Sequence, residues 1–241
     1  EGFSWASERW IFKDIGSQGT FTWVSDDVLG YVAAKGVAQT ETKFYRGKKL
    51  YDAVYTMDAH GLRVSSARAL SAKANSPCVL FFGDSYVFGW GLNDPETMPY
   101  RVSTRSGGRY RVFNLAFPTH GPQQMLAMLE RDLVGKVADC AARDIKHVVY
   151  VARPDHVRRA AGLREIDHLH GPRYALGADG SVSYQGQFGE DRSKAEKLRS
   201  LLAKSFLYRK LTGGNAIYTR RFNDKDVALY FAIVDGARMR A

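Results

Sequence analysis

The middle of the chain contains one continuous apolar run that ends abruptly. Five apolar residues, Cys78 to Phe82, lead directly into Gly83, Asp84 and Ser85. A run of this length bounded by small polar residues predicts a strand buried on both faces, and the turn after it presents Ser85 at the strand's carboxyl end. Ligands bind at this edge of open α/β sheets, so Ser85 is a candidate nucleophile.

Two further strands are predicted to lie in the same sheet. The sequence from Asn93 to Glu96 favours a helix start with a capping side chain, a proline in the first turn and an acidic residue near the helix dipole. Strands are predicted over 110–116 and 147–152, each preceded by helical sequence. Right-handed crossovers would make the three strands parallel, so their carboxyl ends should face one crevice.

The two ends of the chain have other patterns. Residues 1–75 alternate aromatic and polar positions, which predicts a β-rich extension of short antiparallel strands with a linker from Ser65 to Asn75. Residues 76–241 are assigned to an α/β domain. Within it, Asp179 and Gly180 predict the turn of a hairpin that covers the site, and helices are expected over 192–211 and from Asp224 or Asp226.

Composition adds a strong positive charge. The 241 residues carry 35 Lys and Arg against 25 Asp and Glu, a net charge of +10, and 45% are apolar, enough for one folded core. The basic residues are scattered, which indicates a solvated surface or an anionic partner such as a charged polysaccharide or membrane surface. Nucleic acid is not expected as a partner, because no nucleic-acid-binding motif is present.

The cysteines and the first residues of the chain are relevant to the cellular compartment of the protein. Cys78 and Cys140 are expected to be unpaired structural thiols, and no Cys/His cluster has zinc spacing. No apolar run has membrane-spanning length. Because the sequence begins at Glu1 in an aromatic-rich segment, we expect that an upstream signal peptide or anchor was removed and that the protein is periplasmic or otherwise exported, with a cytoplasmic location as the alternative.

The serine turn has a familiar context. A Gly-x-Ser-x-Gly elbow is excluded because Val87 stands where its second glycine would be. Gly83-Asp84-Ser85, with Gly89 and Gly91 after it, resembles the first sequence block of the SGNH/GDSL hydrolase family. This resemblance implies a flavodoxin-like three-layer sandwich with a mostly parallel central sheet, a nucleophilic serine, and no metal or organic cofactor.

Two further segments resemble the same family, one of them its second sequence block. Asn114 to Gln124 resembles the second block, in which the glycine after a proline donates its backbone N–H to the oxyanion, and Thr119 occupies that position here. Ser85 and Thr119 are therefore the predicted oxyanion donors. The segments Leu29-Gly30-Tyr31 and Gly61-Leu62-Arg63 resemble a lead-in found in some larger members.

The third block is altered. Members usually have an Asn-Asp pair after the third strand, and the Asn side chain completes the oxyanion hole; this chain has Pro154 and Asp155. Proline carries no donor. His156, the next residue, is a candidate replacement donor or general base, and the alternative is a half-exposed histidine at a helix start without catalytic function.

The family's Asp-x-x-His block is not found near the chain end. No histidine follows His170, so we expect that the last strand and this block are missing from the sequence. Asp144 to His147 lies at the amino end of a strand and is interpreted as structural, whereas Asp167 to His170 follows the third strand too closely to match. His120 and His156 lie on loops at strand ends and are the more plausible substitutes.

Two functions follow as hypotheses. One is a serine esterase or O-acyltransferase that acts on a small-molecule or glycan ester, such as the O-acetyl groups of an envelope polysaccharide. Its rival is a catalytically impaired SGNH-like domain that binds a glycan or a partner protein through the same crevice. The altered positions Thr119 and Pro154 favour the rival.

Overall fold

The computed structural model describes residues 14–19, 21–67, 72–138, 140–163, 170–189 and 222–241, which form a mixed α/β structure. The strands are β1 (Ile15–Gln18), β2 (Trp23–Asp26), β3 (Gly30–Ala33), β4 (Ala38–Tyr45), β5 (Lys48–Thr56), β6 (Cys78–Phe82), β7 (Arg111–Asn114), β8 (Ile145–Tyr150), β9 (Pro172–Leu176) and β10 (Val182–Gln187). The helices are α1 (Ser85–Phe88), α2 (Met98–Arg105), α3 (Pro122–Glu130), α4 (Leu133–Ala138), α5 (Asp155–Ala160) and α6 (Asp224–Arg238), with 3-10 turns at Asp94–Glu96 and Ala142–Asp144.

The strand before Ser85 is the centre of a small parallel sheet. Its order is β7-β6-β8, and Phe81 pairs with Asn114 on one side and with Val149 on the other. The prediction of three parallel strands is thus confirmed. Because parallel strands end at the same edge, the segments after β6, β7 and β8 lie close together there.

Alternate residues of β6 enter two different cores. Leu80 and Phe82 pack in a cluster with Leu126 of α3 and Ile233 of α6, all fully or almost fully buried. Val79 and Phe81 belong to a second cluster, in which they meet β5 and α1. This two-sided burial explains why the strand has no polar position, since a polar side chain on either face would lie in an apolar core.

The N-terminal part is β-rich, as its alternating pattern predicts. Strands β1, β4 and β5 form one antiparallel sheet, and β2 and β3 form a hairpin. A second hairpin, β9 with β10, turns at Asp179 and Gly180 as expected. The last helix begins at Asp224, where the Asn223 side chain accepts hydrogen bonds from two backbone N–H groups. The helix expected over 192–211 lies outside the described residues.

The prediction of unpaired cysteines is wrong. Cys78 at the start of β6 forms a disulfide with Cys140, with 6.5 Å between their Cα atoms. Helices α3 and α4 carry the chain back across the sheet after β7, and the segment before β8 therefore returns to the amino end of β6. The two cysteines are 62 residues apart, so this approach depends on the tertiary fold and has no local signal.

A buried arginine connects the N-terminal strands to the loop after Ser85. Arg63 is 1% exposed, and its ring partners are Tyr55 and Phe88, whose centroids lie 4.8 and 5.0 Å from the guanidinium carbon. The guanidinium donates hydrogen bonds to the carbonyl oxygens of Val54, Phe88, Gly89 and Leu92 and to the carboxylate of Asp94. Arg63 therefore fixes the course of the chain from α1 to Asp94.

No helix in the described segments combines the length and the apolar character needed to cross a membrane.

Candidate active site

The turn that presents Ser85 depends on Gly83. Its φ is +156°, and a Cβ placed there would lie 2.5 Å from Cγ2 of Val87, so a side chain would both strain the backbone and clash. Asp84 caps the short helix α1, because its carboxylate accepts a hydrogen bond from the backbone N–H of Tyr86 at 3.0 Å. Ser85 is the first residue of α1 and is partly exposed.

The loop after β7 runs beside this turn. The backbone N–H of Phe117 lies 3.4 Å from the carbonyl oxygen of Gly83. Two residues on, Thr119 has a φ of +67°, in the left-handed region that β-branched residues rarely adopt. Its hydroxyl forms a hydrogen bond with the phenol of Tyr31. Thr119 thus has the backbone conformation that favours glycine, at the position where the resembling sequence block has one.

Backbone donors are available at both predicted oxyanion positions. Within the described part of the chain, the N–H groups of Ser85 and Thr119 donate no hydrogen bond to another protein group. Both residues are partly exposed, and Ser85 begins α1, where N–H groups have no partner within the helix, so the two donors are open to solvent or to a ligand. They have the chemistry that stabilises a developing oxyanion.

Asp84 lies at the centre of a cluster formed by two arginines and a histidine. Its Oδ2 is 2.7 Å from Nη1 of Arg153, 3.3 Å from Nη1 of Arg159 and 3.3 Å from Nε2 of His156. Burial would raise the pKa of the Asp84 carboxyl, but His156, the backbone N–H of Tyr86 and the two arginines together hold that pKa well below its usual value. Asp84 is therefore ionised whenever the protein is folded near neutral pH.

His156 is fully buried, and both of its ring nitrogens face groups other than Ser85. Nδ1 lies 2.6 Å from the hydroxyl of Tyr150, and Nε2 faces Asp84. Burial lowers the pKa of His156, so the ring is neutral. Nε2 forms no hydrogen bond within the described structure, although it lies 3.3 Å from Oδ2 of the ionised Asp84, which can only accept. The negative charge of Asp84 favours a proton on Nε2, which leaves Nδ1 to accept from Tyr150. The half-exposed placement considered for His156 is wrong, and its role as general base stays a prediction.

The remaining histidines have separate surroundings. His120 is buried, its Nε2 lies 3.0 Å from the carbonyl oxygen of Tyr31, and burial lowers its pKa to about 4. His147 is exposed near the amino end of β8 and contacts the ring of Tyr110 edge to face. His170 is exposed before β9, whereas Asp167 and His168 lie outside the described residues.

An open cleft with positively charged walls lies beside the serine. It has a volume of about 520 Å³ and is lined by Ser85, Thr119, Arg158, Arg159 and residues 153–155. Three guanidinium groups and one carboxylate therefore contribute to its surface. The sequence placed the loops after β6, β7 and β8 at this edge, but it did not indicate that Arg153 and Arg159 converge on Asp84.

The N-terminal extension contributes to the site more than its sequence indicated. Tyr31 of β3 contacts both Thr119 and His120. Behind it, neighbouring rings in an aromatic cluster have centroids 5.0–6.3 Å apart; its members are Phe21, Trp23, Tyr31, Tyr55, Phe88, Trp90 and Phe117. Aromatic pairs of this geometry each contribute about 0.5–1.5 kcal/mol beyond area burial. The hairpin β2–β3 is thereby held against the loop that carries Thr119.

The left-handed conformation of Thr119 leads to a testable order of stabilities. Thr119→Gly and Thr119→Ala both lose the hydrogen bond to Tyr31, but only alanine keeps the backbone strain. We expect the glycine variant to be more stable than the alanine variant by about 1 kcal/mol, measured by urea unfolding.

Thr104, exposed in α2, is the matched control. There the order should reverse, with alanine more stable than glycine by about 1 kcal/mol. An alanine variant at 119 as stable as the glycine variant would contradict the proposed strain.

Comparison of the chain with protein-family models, curated proteins and solved structures found no match. Among the described residues, no group of three or more His, Cys, Asp or Glu side chains is placed to hold a metal ion.

Proposed function

We propose that this chain is a serine esterase or O-acyltransferase of the SGNH type, acting on ester groups such as the O-acetyl groups of an envelope polysaccharide. The observation that carries the proposal is that Ser85, in the turn after β6, and Thr119, left-handed in the loop after β7, line the same cleft. The backbone N–H groups of both residues are unused in the described structure. A flavodoxin-like three-layer sandwich is the fold that this proposal implies, and the parallel order β7-β6-β8 supports it.

The chemistry would proceed by acyl transfer through the serine. Ser85 Oγ attacks the ester carbonyl as its proton passes to a base, and the N–H groups of Ser85 and Thr119 stabilise the oxyanion of the tetrahedral intermediate. The intermediate collapses to an acyl-serine and releases the alcohol, which takes up the proton. Water then releases the acid in a hydrolase, or an acceptor hydroxyl takes the acyl group in a transferase. One oxyanion donor lowers the activation free energy by about 3 kcal/mol.

A general base for Ser85 requires a movement of His156. His156 is the candidate from the sequence, yet its Nε2 faces Asp84 and its Nδ1 faces Tyr150. To accept a proton from Ser85, its ring would have to leave Asp84. Arg153 and Arg159 would then remain to balance that carboxylate, so Asp84 would keep two charge partners.

An exported location is part of the same proposal. The disulfide between Cys78 and Cys140 supports it, because disulfides persist mainly in oxidising compartments such as the periplasm. The net charge of +10 favours attraction of the protein to anionic polysaccharides or membrane surfaces.

A binding function is the second candidate, and two observations favour it. The buried His156 has its Nδ1 bound to the hydroxyl of Tyr150 and its Nε2 beside Asp84, and Pro154 stands where the resembling family has its side-chain oxyanion donor. A domain with this arrangement could hold a glycan or a partner protein in the cleft without cleaving it.

Covalent labelling separates the two candidates. If Ser85 is an activated nucleophile, a fluorophosphonate probe should label the native protein and fail to label Ser85→Ala. Ser183→Ala, at an exposed position of β10, is the control that should label like the native protein. Unlabelled native protein, or labelling that persists in Ser85→Ala, would refute the serine enzyme and favour the binding domain.

A further inference from the structure

The arginines at the cleft differ in how they are used. Arg159 is almost fully buried, and it donates to the carboxylate of Asp155 at 3.0 Å and to the carbonyl oxygen of His120 at 2.7 Å while lying 3.3 Å from Asp84. These contacts commit it to holding three loops together. It contributes positive charge to the cleft but is not the group that a ligand would contact first.

Arg153 is held in place and still has unused donors. Its Nη1 bonds Asp84 at 2.7 Å, and its guanidinium carbon lies 4.0 Å from the ring centroid of Tyr86. The side chain is 33% exposed. In the described structure its Nε and Nη2 donate no hydrogen bond to another protein group. A guanidinium fixed on one edge and stacked on a ring is preorganised to bind an oxyacid with the rest of its fork.

Arg158 brings a third positive charge to the same cleft. It lies on α5, lines the cleft with Arg153 and Arg159, and its guanidinium carbon is 4.7 Å from the ring centroid of Phe222. Asp155 is the one carboxylate among the lining residues, and Arg159 binds it. Asp84, which contacts Arg153 and Arg159, is a second carboxylate at this site. Among these groups three guanidinium groups face two carboxylates, so a net positive charge remains that attracts anions.

We infer that the cleft beside Ser85 binds an anionic oxyacid group, a carboxylate or a phosphate, that the ester substrate carries next to the scissile bond. The inference rests on the proposed function and names its substrate class: an ester of an acidic glycan rather than of a neutral one. Arg153 contacts the oxyacid group directly, and Arg158 strengthens its attraction. Tyr86, which is 67% exposed beside Ser85 and carries Arg153 on its ring, offers a face on which a sugar can stack.

Binding to the Ser85→Ala variant tests the inference without requiring turnover. Three probes that contain no carboxylic ester are compared by calorimetry at low ionic strength: para-acetamidobenzoate, para-acetamidophenyl phosphate and neutral para-acetamidobenzamide. At least one anionic probe should bind roughly tenfold tighter than the neutral one, as expected for a charge-assisted hydrogen bond. The tighter of the two identifies carboxylate or phosphate as the preferred group. Added salt should reduce the difference.

Arginine variants locate the effect. Arg153→Gln, made in the Ser85→Ala background, should lose most of the preference for the anionic probe. Arg158→Gln, which leaves the bond between Arg153 and Asp84 in place, should reduce it even if Arg153→Gln proves unstable. Arg143→Gln is the control, because its side chain is 88% exposed before β8, near the amino ends of the strands, and the preference should stay as it was.

The outcomes separate this inference from the proposed function. Equal affinity for all three probes, or a preference that survives both arginine variants, would overturn the anionic site even if the fluorophosphonate labels Ser85. Conversely, an anionic preference that depends on Arg153 or Arg158 would support an anion-binding cleft. If Ser85 is not labelled in the same protein, the proposed serine enzyme activity is refuted while the anion site stands.

Discussion

Replacement of Arg63 by alanine is expected to lower the free energy of unfolding by about 3–5 kcal/mol, the loss typical when one partner of a buried ion pair is removed. The side chain of Arg63 is inaccessible, and that of its partner Asp94 is 13% exposed. Without the guanidinium, Asp94 keeps a charge with no cation beside it. The carbonyl oxygens that Arg63 satisfies would also have to find water or remain unpaired.

The loss should extend to the candidate site. The carbonyl oxygens of Phe88 and Gly89, which end α1, accept from Nη1 of Arg63 at 2.8 and 2.7 Å. Gly89 can approach this closely because it lacks a side chain; a Cβ there would lie 3.0 Å from Nη1 of Arg63 and 2.5 Å from Cγ2 of Thr97. If Arg63 fixes α1, the alanine variant should also show weaker fluorophosphonate labelling of Ser85 than the native protein at a temperature where both are folded.

Urea unfolding measures the stability effect, and Arg105→Ala provides the control. Arg105 is exposed at the end of α2, so its replacement should change the free energy of unfolding by less than about 0.5 kcal/mol. Arg63→Lys should also be strongly destabilised, since a lysine ammonium cannot reproduce the planar fork that reaches several carbonyl oxygens. Loss of less than about 1 kcal/mol in Arg63→Ala would contradict the anchoring role.

The features that the sequence could predict are the local ones. The apolar run before Gly83 predicts β6, and alternation predicts the N-terminal strands. Each depends on side chains within about ten residues of one another, where periodicity and turn chemistry act. The helix start predicted at Asn93 is displaced: residues Asp94–Glu96 form a 3-10 turn, and α2 begins at Met98 with Thr97 as its cap. The edge of the sheet at which Ser85 lies follows from the parallel order alone.

Contacts between segments far apart in the chain could not be predicted from the sequence. Asp84 and Arg153 are 69 residues apart, Tyr31 and Thr119 are 88 apart, and the two cysteines are 62 apart. No periodicity encodes such pairs, because they depend on how the loops pack once the sheet has formed. Arg63 is intermediate: its motif could be seen in the sequence, but its role as a buried anchor could not.

Replacement of Asp84 by asparagine should destabilise the protein by about 3 kcal/mol. Asparagine has nearly the same shape and its carbonyl oxygen can still cap α1, so the change removes mainly the charge. Arg153 and Arg159 then lie without the carboxylate that both of them contact at 2.7 and 3.3 Å. The expected loss exceeds that of an exposed ion pair, because Asp84 is 1% exposed and screening by solvent is weak.

The dependence on pH distinguishes this charge effect from a packing defect. The pKa of Asp84 is lower in the folded protein than in the unfolded chain, where it is about 4, so its contribution is fully present above that value and is lost as the pH falls below it. The difference in unfolding free energy between native protein and Asp84→Asn should therefore be constant above about pH 5 and shrink below about pH 4. Asp235→Asn, exposed in α6, should change stability by less than about 0.5 kcal/mol. A difference that stays constant down to about pH 2 would show that Asp84 stabilises the fold through shape and not through its charge.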